Sequence, residues 1–308
     1  MNIGFIAVLV TTSCIQTFLL AEMLPKSRQD VSYSGFTTFK VEIQDGVAMV
    51  TFEFPPINLQ GKLMLNDLNS LAEKLEEDGN IKVVVFQSAH PDIFISHSDF
   101  DQVSEINEFP ENTKLTYPQA VFQRLSSLPQ ATIAKVEGMA RGGGFDFMLA
   151  CDMSFAARGK AVFMQMEVGM GIVPYGGATQ RLPRAVGLGR SLELILGAHD
   201  FDADLAEKYG VINRALNRDE IYPFVDELAH RISKFPSTSI AACKRSVYAS
   251  SELGLAKGLE KEAAQFRSLM SQGQEKMKIL NQRMGQYWYK DLETQKNWDK
   301  GVMDIQGQ

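Results

Sequence analysis

The chain has 308 residues, 45% of them hydrophobic, and a formal net charge of -6. That is enough apolar material for a substantial core and too little basic charge to favour nucleic acid as a partner. Three cysteines (Cys14, Cys151, Cys243) and four histidines (His90, His97, His199, His230) lie scattered, which argues against a metal site and favours a reducing compartment such as the cytoplasm.

The first element is "IGFIAVLVTTSCIQTFLLA", apolar and uncharged as far as Glu22, the length of a signal core or a short membrane span. No Lys or Arg precedes it, although a positive flank normally sets the orientation of such a segment. Residues 1–22 are therefore read as a signal or anchor, an extension upstream of Met23, or a greasy docking segment, with membrane association left open. From about Phe36 the chain reads as a soluble domain. "TTFKVEI" and "VAMVTFEF" alternate around the "QDG" turn and predict a hairpin. "PPINLQG" breaks that pattern. "KLMLNDLNSLAEKLEED" then carries Leu63, Leu65, Leu68, Leu71 and Leu75 on one helical face, and "IKVVVFQS" is a continuous apolar strand of the fully buried type. The helical "YPQAVFQRLSSL" leads to a second buried strand, "ATIAKVEG".

Next comes "ARGGGFDFMLACDM", in which Gly142, Gly143 and Gly144 form a turn before a buried helix predicted to begin near Phe145. Such a turn leaves peptide N–H groups uncovered at the positive end of a helix dipole. The spacing is neither GxGxxG nor a Walker loop, so a carbonyl oxygen becoming an oxyanion fits better than a phosphate. The plainer alternative is that the glycines let the helix pack closely on the strand. Ser96, His97, Ser98 and Asp99 follow the first buried strand in a polar turn, able to expose another N–H to the same pocket. From about Gly176 the pattern is almost wholly helical, and "YWYKDLETQKNWDKGVMDIQGQ" loses periodicity. Strands early and helices late predict an α/β core with a helical C-terminal region.

"PDIFISHSDF" resembles the segment in which the enoyl-CoA hydratase/isomerase (crotonase) superfamily carries Phe-x-Ala-Gly-Ala-Asp-Leu. "IAKVEGMARGGGFDFMLACDMSFAARGKAVFMQMEVGMGIVPYGGATQRLPRAVG" resembles its central signature, and the likeness runs from Phe36 to Met270. The resemblance implies a crotonase-like spiral of β-β-α units over 36–235, a helical region over 236–290 serving trimerisation, and a tail at 291–308. It also implies assembly as a trimer or dimer of trimers, and an acyl-CoA thioester as substrate with no separate cofactor. The N–H groups of Ser98 and Gly143 become an oxyanion hole, Ser96, His97 and Gly142 line the substrate, and Asp146 and Glu167 stand where hydratases of the family place two catalytic glutamates. Hydration of a trans-2-enoyl-CoA is the leading reaction. Double-bond isomerisation is the nearest alternative, and a non-catalytic acyl-CoA-binding or assembly paralogue the next.

Three departures bear on this. Asp146 is one methylene shorter than glutamate, setting its carboxylate about 1.5 Å back, and it can equally be an acid placed against the helix dipole. Tyr175 stands where the family's dienoyl isomerases have an aspartate. His97 replaces a glycine, so its β-carbon is expected to distort the Ser98 donor; the alternatives are an extra acid–base group or a solvent-facing loop residue.

Overall fold

Alternating burial produces the first hairpin. β1 (Phe39–Gln44) and β2 (Val47–Phe52) pair antiparallel, Phe39 opposite Phe52 and Gln44 opposite Val47. Asp45 and Gly46 close it with φ of 49° and 78°, the two left-handed residues whose twist suits a two-residue hairpin turn. The computed structural model describes residues 31–102 and 114–271, with Lys278 and Lys296 as single helical positions. The predicted segment 1–22, the end of the predicted helical region and nearly all of the predicted tail lie outside the described residues.

α1 (Lys62–Glu77) buries Met64, Leu65, Leu68, Leu71, Ala72 and Leu75. Leu63, expected on that face, is 42% exposed, because the buried stripe is centred on the Met64, Leu68, Leu71, Leu75 row instead. Three similar turns of chain follow. β3 (Val83–Ser88), β4 (Ile93–Ile95) and α2 (Tyr117–Ser126) make the second unit. β5 (Ala131–Val136), β6 (Met139–Arg141) and α3 (Gly143–Ala150) make the third. β7 (Met153–Ala157) and β8 (Val162–Met164) open the fourth, which continues through α4 (Ala178–Val186) and α5 (Leu188–Gly197). β9 (Phe201–Asp202), α6 (Ala203–Tyr209), β10 (Arg214–Leu216), α7 (Arg218–Ser233), α8 (Ser237–Glu252) and α9 (Leu255–Ser271) complete the order.

Both strands of the hairpin join a six-stranded sheet, β1-β2-β3-β5-β7-β10, and each of the next three units gives its first strand to that sheet and its second to a four-stranded sheet, β4-β6-β8-β9. This is the expected β-β-α spiral. The second strands are only three residues long, too short for an alternation to show in sequence. β2, β3, β5 and β7 are parallel neighbours and need apolar cover on both faces. On one side Phe52 meets Phe86, Phe94 and Phe147 at ring-centroid distances of 6.2, 5.6 and 5.5 Å. On the other, Val83, Val85, Ile133 and Phe155 pack against Ile221, Val225 and Ala229 of α7. The described residues from Tyr33 onward belong to one compact unit, and the spiral brings the ends of β4, β6 and β8 together at the start of α3. Among the described residues no helix is long and apolar enough to cross a membrane.

Candidate active site

α3 begins at Gly143, two residues before the expected Phe145, and the three glycines have three different causes. Gly142 adopts φ 47°, ψ -118°, a conformation that a side chain disfavours. A β-carbon on Gly143 would collide with Gln60 Oε1 and Ser98 Oγ, and one on Gly144 would collide with the carbonyl oxygen of Ile95. Close packing on a strand thus explains Gly144, while close approach of the Ser98 segment explains Gly143.

That segment is fastened by Gln60, which is buried. Its N–H donates to the His97 carbonyl at 2.9 Å and its carbonyl accepts from the Asp99 N–H at 2.8 Å, a parallel bridge opposite Ser98. In such a bridge the N–H of Ser98 points away from Gln60. The side chain completes the clamp, since Gln60 Nε2 donates to the Gly143 carbonyl at 3.0 Å and Oε1 accepts from Ser98 Oγ at 3.2 Å. Among the described residues neither the Ser98 N–H nor the Gly143 N–H meets an acceptor. Two free donors on adjoining segments, one at a helix start, can stabilise a developing negative charge.

His97 has an ordinary φ, being absent from the positive-φ residues, and the bridge at Ser98 is intact. Its β-carbon therefore does not distort the Ser98 donor, contrary to expectation. Nor is it a free loop residue: the ring is partly buried, stacks on Phe100 at 5.1 Å, and places Nδ1 2.8 Å from the Ser98 carbonyl. Ser96 is half-buried beside it and accepts from the Arg141 N–H at 3.0 Å, tying the end of β4 to β6.

Asp146 and Glu167 converge on this spot, both buried. Glu167 opens a single 3₁₀ turn, Glu167–Met170, and its Oε1 would lie 2.9 Å from a β-carbon on Gly142. Its Oε2 is buried and has no hydrogen-bond partner among the described residues. Burial raises the Glu167 carboxyl above its usual range, opposed by nearby backbone N–H groups and by His97. Asp146 is bound on both oxygens, Oδ1 accepting from the Ala178 N–H at 2.6 Å and Oδ2 from the Gly176 N–H at 3.2 Å. It thus caps α4 from another helix. Burial first, and the charge of Glu167 second, push Asp146 up to about 7 against the pull of those N–H groups and of Arg181.

Tyr175 completes the wall. Its hydroxyl is buried without a partner, its carbonyl accepts from Thr116 Oγ1 at 2.7 Å, and Arg181 Nη1 donates to the next carbonyl, that of Gly176, at 3.2 Å. All seven predicted site residues, Ser96, His97, Ser98, Gly142, Gly143, Asp146 and Glu167, come together here. Gln60, Gly176 and Arg181 were not found from sequence. The break at "PPINLQG" and the doubled glycine of "YGGA" marked the segments but not their contacts. Among the described residues no group of three His, Cys, Asp or Glu is placed to hold a metal ion.

A family model described as enoyl-CoA hydratase/isomerase matches residues 42–300. The chain is 30% identical over 208 residues to the short-chain-enoyl-CoA hydratase of Clostridium acetobutylicum, covering 67% of this chain and 79% of that one. It is 29% identical over 218 residues to the mitochondrial methylglutaconyl-CoA hydratase of Rattus norvegicus, covering 70% and 69%. A crystal structure of a provisionally named enoyl-CoA hydratase from Streptomyces avermitilis superposes with a TM-score of 0.68 at 37% identity, covering 84% of this chain and 94% of that one.

Proposed function

The chain belongs to the enoyl-CoA hydratase/isomerase family, and from that premise we propose that it adds water across the double bond of a trans-2-enoyl-CoA. The observation that carries this reading is the buried, unpartnered Oε2 of Glu167, held beside Gly142 and so next to the two unbonded N–H groups. A buried carboxylate oxygen with nothing to accept from is costly, and a reacting proton would relieve it.

The thioester carbonyl lies between the N–H groups of Ser98 and Gly143, each donor worth about 3 to 4 kcal/mol to the enolate-like transition state. Burial of both carboxyls, with the charge of Glu167 acting on Asp146, favours holding a proton on Asp146 near neutral pH. Such a pair offers both a base for water and an acid for the α-carbon. Ser96, His97 and Gly142 line the approach of the acyl group.

The test is incubation with short enoyl-CoA and dienoyl-CoA substrates, products read by mass. A gain of one water is expected, and Glu167→Gln should lower kcat by about 10²- to 10⁴-fold. An unchanged mass with a moved double bond would replace hydration by isomerisation. Binding without turnover would leave a carrier of acyl-CoA. Assembly in threes belongs to the same reading and is supported by α9, none of whose residues is buried and whose Leu255, Leu259, Phe266 and Met270 are exposed along one face. The free thiols of Cys151 and Cys243 support a reducing compartment.

A further inference from the structure

A surface tyrosine normally buries its ring and sends its hydroxyl to water. Tyr175 does the reverse: the residue is partly exposed while its hydroxyl is buried with no partner. The backbone holds it there from both sides, through Thr116 Oγ1 on its own carbonyl at 2.7 Å and Asp146 Oδ2 on the following N–H at 3.2 Å. Asp146 Oδ2 accepts from the N–H next to Tyr175, the Asp146 N–H donates to the Gly142 carbonyl at 2.9 Å, and Glu167 Oε1 would lie 2.9 Å from a β-carbon on Gly142, so the three residues meet at the start of α3. Two orphaned atoms therefore border it, Tyr175 Oη and Glu167 Oε2, and they do not bond each other. One donates and the other, when ionised, only accepts. A single small group that both accepts and donates satisfies the two together, and water or a hydroxyl is such a group.

Resting on the hydratase reading, we infer that Tyr175 is a catalytic residue, its hydroxyl donating to the oxygen that joins the β-carbon while Glu167 Oε2 takes that oxygen's proton. Water loses one proton to Glu167, and its oxygen bonds to the β-carbon. The electron pair of the double bond moves into the enolate held by Ser98 and Gly143. The enolate then takes a proton at the α-carbon from the protonated member of the Asp146–Glu167 pair, which ends with the proton count it began with. Tyr175 keeps its hydrogen throughout. Burial raises its pKa and the charges of Glu167, Asp146 and Asp99 add to this, while the Ser98 hydroxyl, close by but outside hydrogen-bonding geometry, opposes it, so the group remains a donor. Asp146 is then also a positioning residue, holding the turn that carries Tyr175.

The test uses Tyr175→Phe in the full chain. We expect kcat on a short trans-2-enoyl-CoA to fall about 10²-fold with KM nearly unchanged. The thermal midpoint should be equal or higher, because phenylalanine removes a buried polar group that has no partner. Binding gives a second readout: affinity for 3-hydroxybutyryl-CoA should fall about tenfold while that for butyryl-CoA stays the same. An unchanged kcat, or equal weakening of the two thioesters, overturns the inference and leaves hydration standing. A wild-type chain that hydrates no enoyl-CoA removes the hydratase reading and the inference with it.

Discussion

A methyl group added at Gly143 and one added at Gly144 meet different obstacles. At Gly143 the obstacles are two side-chain atoms, Gln60 Oε1 and Ser98 Oγ, while at Gly144 the obstacle is the backbone carbonyl of Ile95 in β4. Side chains yield more easily than a strand. Gly143→Ala should therefore fold, displace the Ser98 segment, and lose about 10²- to 10³-fold in kcat. Gly144→Ala should lose stability, by about 1–3 kcal/mol, from the forced separation of α3 and β4. Urea unfolding alongside steady-state kinetics distinguishes them. Equal kinetic loss at both positions would mean that the triplet is a packing device throughout. The residue types at this turn were legible in sequence, because consecutive glycines stand out. Which glycine serves which purpose was not, since the answer lies in residues 83 positions away, as in the Gln60 to Gly143 bond.

At the scale of elements, α4 begins without a side-chain cap of its own, and the carboxylate of Asp146 in α3 supplies it from another helix. This accounts for aspartate at a position read from sequence either as a catalytic acid or as an acid set against its own helix dipole. Both oxygens reach across to Gly176 and Ala178, and Gly176 must lack a side chain because its β-carbon would sit 2.6 Å from that of Asp146. α9 shows the opposite condition, an element with a face that none of the described residues covers. Leu255, Leu259, Phe266 and Met270 fall within one helical stripe, the pattern of a covered surface. The wild-type chain should sediment at three or six times its 34.3 kDa mass, and the pair Leu259→Glu, Phe266→Glu should reduce that number while retaining helix content. A wild-type monomer would end the assembly reading.

For the whole molecule, the two buried acids couple stability to pH. Asp146 is raised from 3.8 to about 7, and Glu167 is raised from 4.5, each by burial first. Above those ordinary values, and for Asp146 up to about pH 7, the folded state therefore holds protons that the unfolded chain has released. Stability from this pair is present in full below the unfolded values and is lost as pH rises through the folded ones, with a slope of about 1.4 kcal/mol per pH unit for each proton retained. Glu167→Gln removes one titrating group and one charge that lifts Asp146. Urea unfolding between about pH 5 and pH 7 should thus show a shallower decline in the variant than in the wild type. Identical slopes would show that the pair does not retain its protons on folding.

The sequence by itself determined the order of elements, the first hairpin, the buried parallel strands, the glycine turn and the helical second half. These follow from periodicity and turn chemistry, which act over a few neighbouring residues. Its motifs also named the family and the seven residues that meet at the site. Only the tertiary structure decided that Gln60 clamps the two donor segments together, that Asp146 caps a helix 32 positions further on, that His97 is accommodated without strain, and that Tyr175 turns its hydroxyl inward. The physical reason is that hydrogen bonds and burial are properties of points close in space, and chain separation carries no trace of them.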